Sequence, residues 1–267
     1  MSTFPKLMWV LPLVSAILCS VGFYKFVYFL SIGYGFAVAG EGIAMLLMFK
    51  GESGIAVAIQ CILFVIYGIR LGGFLVIREL KSASYRNTLA AVTKEEKPMP
   101  VFVKATIWIC VSLLYVCQVA PVYYRQANGM SQDTLSWIGV VIMVIAIIIE
   151  SAADKQKSAA KAKNPARFCD IGLYKIVRCP NYFGELLFWT GVFVSGITIL
   201  ATPGQWIISL IGYIAIIYIM FNGAKRLELR QNGSYGKDPE YQSYVKSTPI
   251  ILPLVPIHSL KDSKIIK

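Results

Sequence analysis

About seven apolar runs, each reaching or approaching the ~20 residues that span a bilayer, constrain this chain more than any other feature. They occupy roughly residues 7–21, 26–49, 55–77, 101–122, 134–150, 183–201 and 205–222. Inside hydrocarbon, backbone N–H and C=O groups must be satisfied within the protein, and a helix does so within one segment. A mean hydropathy of +0.63 argues against a water-soluble domain. The sequence therefore predicts an all-α polytopic membrane protein with about seven transmembrane helices, formed as a single integral membrane domain over residues 1–267. Only Lys6 precedes the first run, and no small-residue cleavage site follows it, so it reads as a retained span. Pro12 marks an expected kink.

The net charge of +12 has a membrane explanation. Most Lys and Arg residues lie at 78–104, at 155–178 and in the tail after Gly223. An odd number of spans places these stretches on one side, and the positive-inside rule makes that side cytoplasmic. The expected topology is N-terminus out and C-terminus cytoplasmic, with 78–100 and 123–133 as polar loops. No nucleic-acid partner is needed to account for the charge. The sequon Asn232-Gly233-Ser234 then falls on the cytoplasmic side.

Four of the six cysteines, Cys19, Cys61, Cys110 and Cys117, lie in apolar runs, where Cys acts as a small hydrophobe. Cys169 and Cys179 lie in polar sequence. There is no C-x-x-C, and His258 is the lone histidine, so no metal site is expected.

Ionisable residues inside spans are costly and usually face a bundle interior or a water-filled cavity. Arg70 is one, although it lies close enough to Arg78 to snorkel toward the surface. Glu41 lies deeper, with Tyr34 seven residues earlier on the same helix face. A tyrosine or a protonated Glu there can donate a hydrogen bond to a substrate oxygen; the plainer reading is a Glu bonded to a neighbouring helix. Tyr24, Tyr28, Tyr67 and Tyr115 are further candidates, though 15 tyrosines partly reflect interfacial belts. Glu150 and Asp154 share a helix face at the end of the fifth run, either as acceptors for ligand hydroxyls or as a solvated helix end. Arg226 and Arg230 form an i, i+4 basic pair suited to phosphates or to ordinary cytoplasmic charge. Gly68 and Gly72 read as close helix packing. Gly33-Tyr34-Gly35 lacks the third glycine and the strand context of a phosphate loop.

The polar stretch Arg178-Cys179-Pro180-Asn181-Tyr182-Phe183-Gly184-Glu185 runs into the sixth span. Pro180 suits the first helical position, where its missing N–H costs nothing. Asn181 and Glu185 then lie one turn apart on one face. The helix start, with free N–H groups and a positive dipole, suits an anion.

These motifs carry a resemblance. Glu150-x-x-x-Asp154-Lys155-Gln156-Lys157, Gly172-Leu173-Tyr174 and Arg178-x-Pro180-Asn181-Tyr182-Phe183-Gly184-Glu185 closely resemble the steroid 5-alpha-reductase C-terminal-domain family. The match is best to a short branch whose usual motif is Arg-His-Pro-Asn-Tyr-Phe-Gly-Glu. Tyr67-Gly68-Ile69-Arg70-Leu71 and Tyr241-x-x-Tyr244-x-Lys246-x-Thr248, followed by Pro253, are also similar. The resemblance covers about residues 60–256, with 134–256 as the reductase-like motif region and 1–122 as the early spans holding a lipid pocket.

The resemblance implies a seven-helix fold with NADPH at its cytoplasmic side and reduction of a carbon–carbon double bond conjugated to a ketone, in a steroid or other lipid. It implies cofactor contacts at Asn181, Glu185, Tyr182, Arg178, Asp154, Glu150, Arg70, Arg226, Arg230 and Tyr244. The catalytic pair is not placed by motif; Glu41 and Tyr34 are offered on physical grounds. Cys179 departs from the branch by replacing its histidine. More distantly, isoprenylcysteine carboxyl methyltransferases are similar through an Arg-His-Pro motif around S-adenosylmethionine. Methyl transfer to a lipid or prenylated thiol is thus the alternative, and a non-catalytic membrane sensor the third reading. The expected partners are the bilayer and an apolar enone substrate. The expected location is the inner membrane of a bacterium, or the endoplasmic reticulum in a eukaryote.

Overall fold

The structure is a computed structural model and describes residues 2–51, 53–81, 99–129 and 132–263. Every regular element among the described residues is helical. In chain order these are α1 (Val10–Cys19), α2 (Ile32–Met48), α3 (Ile55–Lys81), α4 (Val101–Ala127), α5 (Thr134–Lys163), α6 (Pro180–Gly196), α7 (Pro203–Tyr235) and α8 (Pro239–Ser247). Short 3₁₀ turns occupy Lys6–Trp9, Ser20–Phe23, Phe26–Leu30 and Gly172–Lys175.

Five helical stretches are long and apolar enough to cross a membrane: Phe26–Met48, Ile55–Lys81, Val101–Ala127, Thr134–Lys163 and Pro203–Tyr235. The chain is a polytopic, all-helical integral membrane protein. The first and sixth expected spans correspond to shorter helices, Leu7–Phe23 and the 17-residue α6. At 1.5 Å per residue α6 reaches about 26 Å, short of the ~30 Å hydrocarbon core. Pro12 falls in the first turn of α1, just after the change from a 3₁₀ turn to α-helix at Val10, where its missing N–H costs no intrahelical bond.

One expected loop begins as helix instead. The loop expected at 123–133 gives way to α4, which runs to Ala127 because Tyr123, Tyr124 and Arg125 are buried. The charged stretch after Gly223 starts within α7, which continues to Tyr235, with Ala224 and Glu228 on one buried face. Then α8 forms, capped by the Asp238 carboxylate, which accepts from the Glu240 N–H at 2.9 Å, with Pro239 at the first position. Of the loop expected at 78–100, Arg78 to Lys81 complete α3, and residues 82–98 lie outside the described residues.

The chain divides into two compact units, Met1–Val140 with Val192–Gly212, and Val141–Gly191 with Tyr213–Lys267. In the first unit α2 packs on α3 with backbones close together. A Cβ on Gly68 would lie 2.2 Å from the Gly35 carbonyl oxygen, and one on Gly35 would lie 2.9 Å from that of Gly68. The Gly33-Tyr34-Gly35 triplet therefore serves helix packing. Arg125, fully buried, donates to the Ser195 carbonyl, to Thr198 Oγ1 at 2.9 Å and to Asp133 at 3.2 Å.

In the second unit an apolar cluster of Cys179, Leu186, Ala224, Ile250, Ile251 and Leu260 ties α6 and α7 to residues 250–260. That placement organises the candidate site.

Candidate cofactor site

The site is built around the start of α6, where Pro180 is the first helical residue as expected. Two amides at this end are not open to an anion. The Arg178 N–H donates to the Pro249 carbonyl and the Cys179 N–H to that of Ile250, each at 2.9 Å. These two amides precede Pro180, and a returning segment of the same chain supplies their acceptors.

The side chains form a network within the second unit. Asn181, half-buried, donates its amide to Asp154 and accepts from the Tyr174 hydroxyl at 2.9 Å. Tyr174 sits in the Gly172–Lys175 turn, pinned by the Leu173 N–H donating to Gln156 at 2.9 Å. Gly172 has φ +56°, which favours glycine, and a Cβ there would push aside the Gln156 amide, 2.4 Å away at Oε1. The Tyr244 hydroxyl donates to the Tyr174 carbonyl at 2.7 Å, and Phe168 stacks on the Tyr244 ring at 5.3 Å. Burial pushes both phenol pKa values up, so Tyr174 and Tyr244 stay neutral hydroxyls.

Glu150 is buried one turn before Asp154 and packs on α6. A Cβ on Gly184 would lie 2.4 Å from Glu150 Cγ, so the glycine of the Asn-Tyr-Phe-Gly-Glu motif admits this carboxylate. Glu185, also buried, accepts from Trp189 Nε1 at 3.2 Å. Tyr182 is half-buried and its ring would stand 3.3 Å from a Cβ on Gly223.

Arg178 is 3% exposed and faces away from solvent. It donates to Glu228 at 3.0 Å and to the His258 carbonyl, while Glu228 also accepts the Leu260 N–H at 2.8 Å. Its visible work is to hold residues 249–260 against α6 and α7. Arg226 and Arg230 lie on the opposite, exposed face of α7 from Glu228. Cys179 sits in the apolar cluster, where burial pushes its thiol up to about 12. The position holds a small neutral side chain, which accounts for cysteine in the motif.

The structure thus joins Asp154, Asn181 and Tyr244 through Tyr174, and sets Glu150 against the same helix. Arg70, Glu41 and Tyr34 belong to the first unit. There Arg70 is half-buried on α3. Glu41 is fully buried and accepts from Ser15 Oγ. Tyr34 accepts from the Tyr67 hydroxyl at 3.0 Å and packs on Tyr115, ring centroids 4.9 Å apart.

Sequence reasoning missed Glu228, Gln156 and the bridging role of Tyr174. Glu228 had a signal, being the lone acid between Arg226 and Arg230, four residues after Ala224 on a helical period. Gln156 had only its place within the motif.

Comparisons with curated proteins and with solved structures give no match. A family model matches residues 19–248, from the end of α1 to just beyond α8. The chain belongs to the family described as Protein of unknown function (DUF1295).

Proposed function

We propose that this protein is an NADPH-dependent reductase of a carbon–carbon double bond conjugated to a ketone in a steroid or other lipid. The observation that supports it most is the Asp154–Asn181–Tyr174 network at the start of α6. It sets carboxylate and carboxamide oxygens, acceptors for ribose hydroxyls or an amide, beside the motif that resembles the reductases. Arg226 and Arg230 add an exposed guanidinium pair on the same unit, suited to phosphates. Hydroxyl acceptors and phosphate donors together are the chemistry a nicotinamide dinucleotide requires, so the residues present fit that cofactor.

When bound, NADPH would be the source of the hydride that the β carbon of the enone accepts. Asp154 and Asn181 orient the bound cofactor, and Glu150 and Glu185 complete the polar wall of α5 and α6. Glu41 and Tyr34 are the proposed hydrogen-bond and proton donors at the ketone oxygen, where negative charge develops. The Tyr67 hydroxyl, by donating to Tyr34, makes Tyr34 a better donor. The apolar helices exclude water and hold the lipid. We place the N-terminus outside and the site on the cytoplasmic face, in a bacterial inner membrane or the endoplasmic reticulum.

The test is calorimetric titration of the purified protein in lipid nanodiscs with NADPH, followed by NADPH consumption with a 3-oxo-4-ene steroid. Wild type should bind and consume it, and Asn181→Ala and Glu185→Gln should each lose binding. Unchanged binding in both variants overturns the site. Binding of S-adenosylmethionine in place of NADPH redirects the reading to methyl transfer, and binding of neither to a sensor.

A further inference from the structure

After α8 the chain makes a tight loop whose base and tip have opposite character. At the base the Ile250 N–H donates to the Ile257 carbonyl at 2.8 Å. Pro249 and Ile250 carbonyls hold the Arg178 and Cys179 amides, and the His258 carbonyl accepts from Arg178. Ile250 and Ile251 are buried, and Leu252 and Ile257 pack on the same cluster as Ile217, Met220 and Phe221 of α7.

The tip is Leu252-Pro253-Leu254-Val255-Pro256. Leu254 is fully exposed, 101% of its reference surface, and Val255 is 38% exposed. Leu254 also has φ +65°, the one non-glycine among the described residues in the left-handed region. That conformation crowds its Cβ against its own carbonyl oxygen. Prolines on both sides stiffen the turn, and the Ile257 N–H bonds back to the Val255 carbonyl at 2.7 Å. A leucine is thus held outward in a conformation normally left to glycine.

The level of this loop is fixed by what its base touches. Ile217, Met220 and Phe221 are in the last apolar turns of α7 before Lys225, and α7 is long and apolar enough to cross a membrane. A loop packed there stands where lipid begins. No Lys, Arg, Asp or Glu occurs between Lys246 and Lys261, and both of these flanking lysines are exposed. An apolar tip with lysines at its margins has the charge pattern of an interfacial anchor, with lipid tails for the tip and phosphates for the lysines.

We propose that residues 252–255 form a membrane-inserting tip, with Leu254 and Val255 in the headgroup–acyl boundary of the leaflet at which α6 begins. Through Pro249, Ile250 and His258 the tip fixes the first turn of α6 at a set depth. The inference does not depend on the reductase reading and involves residues beyond the family match, which ends at 248.

The test uses the full chain in phosphatidylcholine liposomes with and without brominated acyl chains. Leu254→Trp is compared with wild type, so that the native tryptophans subtract, and Lys163→Trp serves as an aqueous control, being exposed at the end of α5. The added Leu254→Trp emission should be blue-shifted, lost with brominated lipid and spared by aqueous iodide. Lys163→Trp should show the reverse. Loss of the Leu254→Trp emission to iodide but not to brominated lipid overturns the proposal. Blue-shifted emission that neither quencher touches also overturns it, because the tip then lies against protein, as in contact with a second copy.

Discussion

Arg178 and Glu228, fifty residues apart, form an ion pair at 3.0 Å with both side chains 1% exposed. A buried pair of this kind is fragile to the loss of one partner, because the other is left charged and desolvated. Arg178→Ala or Glu228→Ala should each lower stability by about 3–5 kcal/mol, read as a fall in the thermal midpoint in detergent. The double variant Arg178→Met, Glu228→Met should be less destabilised than either. Equal, small effects in both single variants would show that the pair does not hold the 249–260 segment.

Asn181 must donate to Asp154 and accept from Tyr174 at once. Its carboxamide does both, whereas a carboxylate at this position can only accept. Asn181→Asp loses the donor and sets two carboxylates together, so it should cost more than Asn181→Ala, by about 1–3 kcal/mol. The ranking can be read from denaturation midpoints of the two variants side by side.

The thiol of Cys179 is buried and pushed up to about 12, so it is not a thiolate at neutral pH. Iodoacetamide at pH 8 should modify it slowly in the native protein and rapidly after unfolding, as followed by peptide mass spectrometry. Cys179→His should destabilise, since the larger ring must enter a cluster of Leu186, Ile250, Ile251 and Leu260; overpacking typically costs about 1–3 kcal/mol.

Gly184→Ala places a methyl 2.4 Å from Glu150 Cγ and 3.3 Å from the Ala146 carbonyl oxygen. The crowded atom is near the root of the glutamate, which therefore cannot simply swing aside. A loss of about 1–3 kcal/mol is expected. Glu150→Ala in the same chain should relieve part of it, and a double-mutant cycle on thermal midpoints measures the relief.

Asp133 supplies a pH dependence. Burial opposes its charge, but hydrogen bonds from Thr198 and the Ser136 amide, with the Arg125 charge, outweigh this and hold its pKa below the ordinary 3.8. A depressed folded-state pKa means the contribution is fully present above about pH 4 and is lost as pH falls through the lower folded value. The thermal midpoint should drop on acidification below pH 4, and Asp133→Asn should flatten that part of the profile.

The helical class, the membrane and most helix starts were legible because apolar length is written directly into the sequence. Pro180 as a first helical residue and the Asn181–Glu185 face were legible for the same local reason, since caps act over a few residues. The helix ends were less so. Tyr123, Tyr124 and Arg125 look like a polar loop until Ser195 and Thr198, seventy residues on, supply acceptors that let Arg125 be buried. The bonds of Arg178 were hidden in the same way, because Glu228 and the His258 carbonyl lie fifty and eighty residues further on. What could not be read were pairings across long separations, which local periodicity does not encode.

The bonds from Arg178 and Cys179 to the carbonyls of Pro249 and Ile250 also set an order of events during biosynthesis. The sixth hydrophobic helix can leave the ribosome and enter the translocon with the two amides just before it, those of Arg178 and Cys179, unsatisfied. They meet their acceptors only after some seventy more residues have been translated. Chains stopped at 248 should therefore insert yet remain protease-sensitive at the Arg178–Glu185 motif, and quality control would recognise that unfinished helix start.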